Sequence, residues 1–468
     1  MTTNYNEHES TKIQIRSFGA ATDVGRSCFL IESDGRKILL DAGLQLNPKR
    51  TKLPSKGPIG VDEIADQLTA VVLSHAHLDH SGYIPALYEQ GYTGPIYTTK
   101  PTIPLTKVLW KDHLKIEGEM HYSRDSFFEA SKSFKGFNYE SQVKIADGVN
   151  VEFLDAGHIL GSASVLVDFD GTLIYYSGDI NDQITPFHEP AQTPNEPVDV
   201  LLVESTNGSR SLPKRRKATR HLISAIKESY ESKKKALIPS FALGRSQEVL
   251  MYLIKNYGTE LYSHRLYTDG MINLMNSIYA KYFTRSWVSD YALDYLSDHG
   301  LNSPFEFDGF TKVSKEHINA NLNRYRSDLI TSKKPKIILT TSGMLEGGPI
   351  LSYLTDQNSS GNLLAFVGYQ VEGTIGYDIL NGETTVEFDT PWGQNQRIHI
   401  DNKVERIGFS GHASQTGLRN FVVESNPTKT FTIHGSLDNQ NVLTKILRDE
   451  DNLDVGRFTL EEPYIVNN

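Results

Sequence analysis

"LSHAHLDHSG", Leu73 to Gly82, holds His75, His77, Asp79 and His80 within six consecutive positions. Such crowding admits two readings: a solvated polar turn, or one half of a metal site. Four titratable groups this close repel or desolvate one another unless a cation sits among them, which favours the metal. In "SHAHLDH", residues 75, 77 and 79 alternate along an extended segment and so face the same way, with His80 following as a helix begins. Imidazole with carboxylate suits a borderline ion such as zinc, with manganese or iron as alternatives. Two ions in one pocket need more ligands than this segment supplies, so distant strand ends must contribute. The candidates are His158 in "DAGHILGSAS", Asp179 in "YYSGD" and His434 in "FTIHGS", with Asp41 in "ILLDAG" placed to orient a ligand. No chemistry is assigned to His8, His113, His121, His188, His221, His264, His299, His317 or His399, which are scattered singly.

The surrounding chain supplies the strands. "LTAVVLSH" is an apolar strand running into the cluster, and "VNVEFLDAGHILG" repeats that arrangement. "SCFLIESDGRKILLDAG" reads as a hairpin through Asp34-Gly35, "ASVLVDFDGTLIYYSGD" as a second through Asp170-Gly171, and "VDVLLVEST" as a buried strand. Strands that end at His, Asp or Glu suit two packed sheets with function along one edge. From about Gly208 the pattern becomes strand, Gly loop, helix. It recurs in "KALIPSFALGRSQEVLMYLIKNYG", "HRLYTDGMINLMNSIYAKYF", "PKIILTTSGMLEGGPILSYL" and "NLLAFVGYQVEGTIGYDIL". Four such units predict a mostly parallel, doubly wound sheet. The strand-rich style returns from about Thr385 with "TTVEFDTP", "QRIHID", "VERIGFSGH" and "KTFTIHG". The expected division is therefore 1–207 for a β-rich domain, 208–388 for an inserted α/β domain, and 389–468 for the last strands of the first.

Composition narrows the class. A chain of 468 residues, 38% hydrophobic and 22% charged, is that of a globular protein with room for two cores. "MTTNYNEHESTKIQIRSFG" has no apolar core for a secretion signal, and no stretch approaches the roughly 20 apolar residues that span a bilayer. Cys28 is the single cysteine, which excludes an internal disulfide and a thiolate cage and fits a reducing cytoplasm. A formal charge of −10 argues against indiscriminate coating of nucleic acid, yet acidic metal ligands count as negative until their ions bind. The basic runs "KRRKATR", "SKKK" and "SKKPK" read as solvated faces or loops.

HxHxDH, with the later His158 and Asp179, resembles the metallo-β-lactamase superfamily. Across nearly the whole chain, "VGRSCFLIESDGRKILLDAG", "DAGHILGSAS", "DVLLVESTNG", "PSFALGRSQEVL", "TSGMLEGGP", "GYQVEGT", "GFSGHAS" and "IHG" stand in the order of its β-CASP nucleases. Prokaryotic relatives of the nuclease subunit of the cleavage and polyadenylation specificity factor, and RNase J-like ribonucleases, are the members it is most similar to. The resemblance implies an αββα sandwich carrying an inserted doubly wound β-CASP domain. It implies one zinc on His75, His77, His158 and bridging Asp179, and another on Asp79, His80, Asp179 and His434. The family's motif A acid matches Glu204, its motif B matches His412 and its motif C matches His434. Histidine at motif C accompanies RNA-directed members, although His434-Gly435-Ser436 replaces the His-Gly-Glu of many relatives.

The chemistry follows from those roles. Two metals roughly 3.5–4 Å apart bind a phosphate oxygen and lower the pKa of a bridging water. The resulting hydroxide would attack in line, oriented by Asp79, while His412, held by Glu204, protonates the leaving 3′-oxygen. The products expected are a 5′-phosphate and a 3′-hydroxyl. Gly-rich loops that precede helices are natural anion sites, so Arg245, Ser246, Ser342 and Gly343 are expected at RNA phosphates. The whole predicts a two-zinc ribonuclease, manganese being the alternative ion. It would act in the cytoplasm on single-stranded RNA, without a membrane, and a homodimer stays open. Competing readings are a DNA-directed nuclease, a small-molecule hydrolase, and a metal-binding but inactive RNA-processing subunit.

Overall fold

Alternation along the strands decides the layering. In Cys28–Ser33, Phe29 and Ile31 enter one apolar cluster and Leu30 another; in Arg36–Leu40, Ile38 and Leu40 join the first and Leu39 the second. Successive side chains of a strand point to opposite faces, so each strand separates two cores. The computed structural model describes residues 12–48, 55–257, 265–298, 300, 303–306, 309–315, 318, 321–355, 360–389 and 395–466.

One seven-stranded sheet runs in the order 464–465, 14–19, 28–33, 36–40, 70–72, 96–99, 134–137, and a second in the order 455–456, 429–433, 200–204, 172–176, 163–169, 149–155, 143–146. Phe29, Ile31, Ile38, Leu40 and Val72 of the first meet Phe153, Val165, Val167, Ile174, Leu202 and Phe431 of the second. Outside the first sheet, Leu30, Leu39 and Val71 pack with Ile84, Leu87 and Trp110 of the helices Ile84–Glu89 and Thr102–Glu117. Outside the second, Leu201 and Val203 pack with Leu418, Phe421 and Leu443 of the helices Gln415–Ser425 and Leu437–Asp449. The result is an αββα sandwich. Both expected hairpins form on two-residue loops. Asp34 and Gly35 have φ of 51° and 74°, and Asp170 and Gly171 have 53° and 85°. A tight hairpin turn of this kind needs two successive positive φ values.

The inserted segment carries a third, six-stranded sheet in the order 310–313, 266–269, 337–340, 236–239, 363–366, 403–406, parallel throughout. Ile238, Ile337, Leu339 and Leu363 face one core, and Leu237, Ile338, Leu364 and Phe366 face another. Burial on both faces is why "ALIP", "IILT" and "LLAF" are continuous apolar runs. The four expected strand–helix units are present, and Phe310–Val313 and Lys403–Arg406 extend the sheet at its two edges. The second of these differs from expectation. The strand in "VERIGFSGH" does not join the returning sandwich: Lys403–Arg406 pairs in parallel with Leu363–Phe366, and Thr385–Asp389 with Asn395–His399 makes a separate hairpin. A partly exposed "KVER" suits an edge position, where only one side of the strand needs a partner. The sandwich resumes at Lys429–Ile433, parallel to Val200–Glu204.

This topology gathers the functional ends. In the second sheet the strands Val149–Asp155, Thr172–Tyr176, Val200–Glu204 and Lys429–Ile433 run the same way. Their C-terminal ends therefore deliver His158, Asp179, Glu204 and His434 to one edge. Among the described residues, no helix is long and apolar enough to cross a membrane.

Candidate metal centre

The strand Ala70–Val72 ends just before the histidine cluster, and a short helix, Leu78–Ser81, follows with His77 at its N-cap. Asp79 thus sits in a helical turn and not on an extended segment, which corrects the expected alternation of 75, 77 and 79. The cause is tertiary. The carbonyls of Leu78, Asp79 and His80 accept from the amides of Leu44, Ser27 and Ala42, each at 2.8 Å. Gly43 lies so close to that turn that a Cβ there would meet Asp79 O at 1.7 Å.

Two sets of donors converge on Asp179. In the first, His77 Nδ1 lies 3.2 Å from both His75 Nε2 and His158 Nε2, which stand 3.5 and 3.7 Å from Asp179 Oδ2. In the second, His80 Nε2 and His434 Nδ1 lie 3.2 and 3.3 Å from Asp179 Oδ1, and His434 Nε2 is 3.5 Å from Asp79 Oδ2. Within each set of four, one donor atom per residue lies within 4.8 Å of every other. Asp179 belongs to both.

The residues fit divalent ions. Ser74 Oγ engages His75 Nδ1 at 3.1 Å and Gly411 O engages His158 Nδ1 at 2.7 Å, so both Nε2 lone pairs point at His77. Two lone pairs converge on His77 Nδ1, which can offer one proton at most, and a cation among them removes that conflict. Among the described residues, Asp179 Oδ1 and His434 Nε2 are buried and, despite the close contacts above, lack a partner in hydrogen-bond geometry, as ligand atoms would. Burial, and then charge on His80, pushes His75 well below the usual imidazole range. Burial does the same to His158. Neutral imidazole is the form that ligates; burial favours it at His80 too, but Asp179 and then Asp41 hold His80 well above the usual range, so an ion binding there would displace a proton. Burial alone would raise Asp179, but the charges of His80, His434 and His412 bring it well below the carboxylate range. Nitrogen and carboxylate oxygen without sulfur suit zinc or a neighbouring borderline ion. Cys28 is buried, and burial pushes its thiol up.

Asp41, wholly buried, orients this centre from behind. Its Oδ1 accepts from Ser74 N, and its Oδ2 takes Ser74 Oγ, Tyr176 OH and His80 Nδ1, each at 2.7 Å. Glu204, also wholly buried, lies on the other side. Its Oε1 accepts from Ile180 N at 3.0 Å and meets His412 Nδ1 at 3.0 Å, and its Oε2 accepts from Thr206 N at 3.2 Å. His412 Nδ1 stands 3.9 Å from Asp179 Oδ2. Desolvation opposes its charge, yet Glu204 and then Asp179 raise His412 to about 9.

The residues expected at phosphates divide. Arg245 pairs with Glu248 and approaches the centre, its Nη2 lying 3.8 Å from where a Cβ on Gly411 would stand. Ser246 is fully buried and donates its hydroxyl to Ala242 O at 2.9 Å, so the structure does not bring it to the cleft. Ser342 Oγ accepts from Glu346 N at 3.1 Å, and Gly343 lies where a Cβ would meet Phe241 N at 2.9 Å. Both take part in the local loop packing, and Ser342 stays half-exposed. Of the histidines given no chemistry, His113 stacks on His121 and His221 pairs with Glu405, whereas His8, His264, His299 and His317 lie outside the described residues. Sequence reasoning missed Arg215, Glu248 and Ser410. The signal for Arg215 was helical phase. It heads the buried stripe Ala218, Leu222, Ala225, Ile226 and Ser229 of the helix Arg215–Glu231.

An αββα sandwich with a His/Asp centre at its strand ends, interrupted by a parallel α/β insertion, defines a metallo-hydrolase class. The model of the metallo-beta-lactamase superfamily matches residues 21–180, that of the Beta-Casp domain residues 246–379, and that of the Zn-dependent metallo-hydrolase RNA specificity domain residues 397–455. The chain belongs to the β-CASP family of the metallo-β-lactamase superfamily, and so to the metal-dependent nucleases. It is 33% identical over 428 residues to an RNase J-like protein of Methanocaldococcus jannaschii, covering 90% of this chain and 92% of that one. It is also 33% identical over 436 residues to the transcription termination factor FttA of the same organism, covering 90% of this chain and 67% of the factor. A crystal structure of a protein of unknown function from Enterococcus faecalis V583 shares the fold. Its TM-score is 0.57 at 15% identity, over 97% of this chain and all of that one.

Proposed function

We propose that this protein is a two-zinc ribonuclease that hydrolyses single-stranded RNA in the cytoplasm, leaving 5′-phosphate and 3′-hydroxyl ends. His75, His77, His158 and Asp179 would hold one ion, and Asp79, His80, Asp179 and His434 the other. Ions held there would supply Lewis-acid polarisation of a phosphate oxygen and a lowered pKa for a water. The chain's own residues do the rest. Asp79, the most open of the acidic ligands at 30% side-chain exposure, orients the attacking water. Glu204 occupies His412 Nδ1, which leaves Nε2 as the atom that delivers a proton to the leaving 3′-oxygen. Asp41 holds His80 Nδ1, so that His80 Nε2 faces Asp179.

The observation that carries this reading is the 3.0 Å contact of Glu204 with His412 at the lip of the donor cluster. A general acid held in one tautomer serves a poor alkoxide leaving group. The descriptions of the matched RNA specificity domain and of the RNase J-like relative support RNA as the substrate. Matched RNA and DNA oligonucleotides, labelled at the 5′ end and internally, test it. RNA cleavage with 5′-phosphate ends, lost in Asp79→Ala with His80→Ala, is expected. Preferred DNA cleavage, or cyclic phosphate ends, would overturn it.

A further inference from the structure

The basic run "KRRKATR" divides on folding. Arg216, Lys217 and Arg220 are exposed, whereas Arg215 is only 8% exposed and reaches across to the loop that carries His412. Its Nη1 donates to Ser410 O at 2.7 Å, its Nη2 to Asn181 Oδ1 at 3.3 Å, and its Nε stands 3.2 Å from Glu248 Oε1. Glu248 also pairs with Arg245, and both guanidiniums lie over the Phe409 ring, at 5.9 and 5.3 Å. Ser410 is the hub of this loop. Its Oγ accepts from His412 N at 3.1 Å, donates to His412 O at 3.0 Å and accepts from Asn207 Nδ2 at 3.3 Å. The next carbonyl, Gly411 O, is the one that fixes His158. Buried charges are kept where several partners share them, and here Arg215 ties the loop, through Ser410 O, to Glu248 on one side and Asn181 on the other.

We propose that Arg215 and Glu248 are positioning residues. Anchored in the inserted domain, they clamp Ser410–Gly411–His412 of the sandwich so that His412 Nε2 meets the leaving oxygen. The inference rests on the ribonuclease reading above and adds to it that the inserted domain takes part in proton delivery. A lysine cannot replace Arg215, because one ammonium cannot span three partners set around a planar fork.

The test compares RNA carrying the ordinary 3′-oxygen leaving group with RNA carrying a bridging 3′-sulfur at the scissile bond. Sulfur departs as thiolate without protonation, so that substrate does not need the acid. With Arg215→Lys, kcat on the oxygen substrate should fall about 10–100-fold while KM stays within about 3-fold and bound metal is unchanged. On the sulfur substrate the deficit should shrink to within about 3-fold, as for His412→Ala, and the double variant should be no worse than His412→Ala alone. Glu248→Gln should repeat the pattern. Equal losses on both substrates, while His412→Ala keeps its sulfur rescue, would overturn the clamp and leave the nuclease reading standing. Failure of both variants to fold with bound metal would reduce the cluster to a folding element and also overturn it. A wild type that cleaves neither substrate would sink the nuclease reading itself.

Discussion

Replacing Asp41 by Asn changes one buried oxygen into an NH2 group, and the surroundings leave that group no comfortable orientation. If the amide oxygen keeps the place of Oδ1 and accepts from Ser74 N, the NH2 faces His80 Nδ1, which Asp41 now engages at 2.7 Å. Relief then requires His80 to carry its proton on Nε2, the atom that faces Asp179. If the amide turns over, its NH2 opposes the Ser74 amide, again donor against donor. Either way one hydrogen bond to a charged group is lost, which costs about 1.5–3 kcal/mol. That corresponds to about 10–100-fold in affinity for the ion that His80 would hold. The set of His75, His77 and His158 meets Asp41 only through Ser74 Oγ, which can still accept from His75 Nδ1, and should keep most of its affinity. Stepwise competition with a chromophoric chelator separates the two constants: one should weaken and the other stay. Equal weakening of both, or of neither, would refute the idea that Asp41 acts by fixing the His80 tautomer.

Gly411→Ala should do the converse. Its Cβ would stand 3.0 Å from His158 Cε1 and 3.3 Å from Nδ1, pushing that ring and weakening by about 10-fold the chelator step that Asp41→Asn leaves intact. His188 is 5% exposed, and burial lowers it to about 3, so it is neutral in the fold and takes up a proton on unfolding below about 6.5. Its contribution to stability is complete above that value and is lost as pH falls toward 3. Between pH 7 and 5 the loss is about 2 kcal/mol. His188→Gln should remove about that much of the pH dependence in urea titrations, and identical slopes would contradict it. Leu202→Ala, wholly buried between the two sandwich sheets, should cost about 2–5 kcal/mol, whereas Arg216→Ala, exposed beside Arg215, should stay within about 0.5 kcal/mol.

These contrasts follow what was local in the sequence and what was not. The hairpin turns at Asp34-Gly35 and Asp170-Gly171, and the alternation of Phe29, Leu30 and Ile31, were legible because neighbouring residues alone set them. The histidine cluster announced itself by density. The helical placement of Asp79 did not, because amides as distant as Ser27, Ala42 and Leu44 hold that turn. Strand Lys403–Arg406 was misplaced because its polar side chains fit any sheet edge, and only pairing with Leu363–Phe366 decides which. Ser246 read as an anion ligand from its Gly-rich loop, yet helix phase turns it inward onto Ala242. Arg215 was hidden in a run of cations whose other members are exposed, and only its phase with Ala218 and Leu222 sets it apart.

The central claim is that two ions share Asp179. Counting metal by elemental analysis on folded protein never exposed to chelator, beside an Asp179→Ala sample prepared alike, tests it most directly. Two ions per chain in the wild type, with both sites weakened in the variant, is the predicted result. A folded wild type without metal, or a variant that keeps both ions at wild-type affinity, would contradict it.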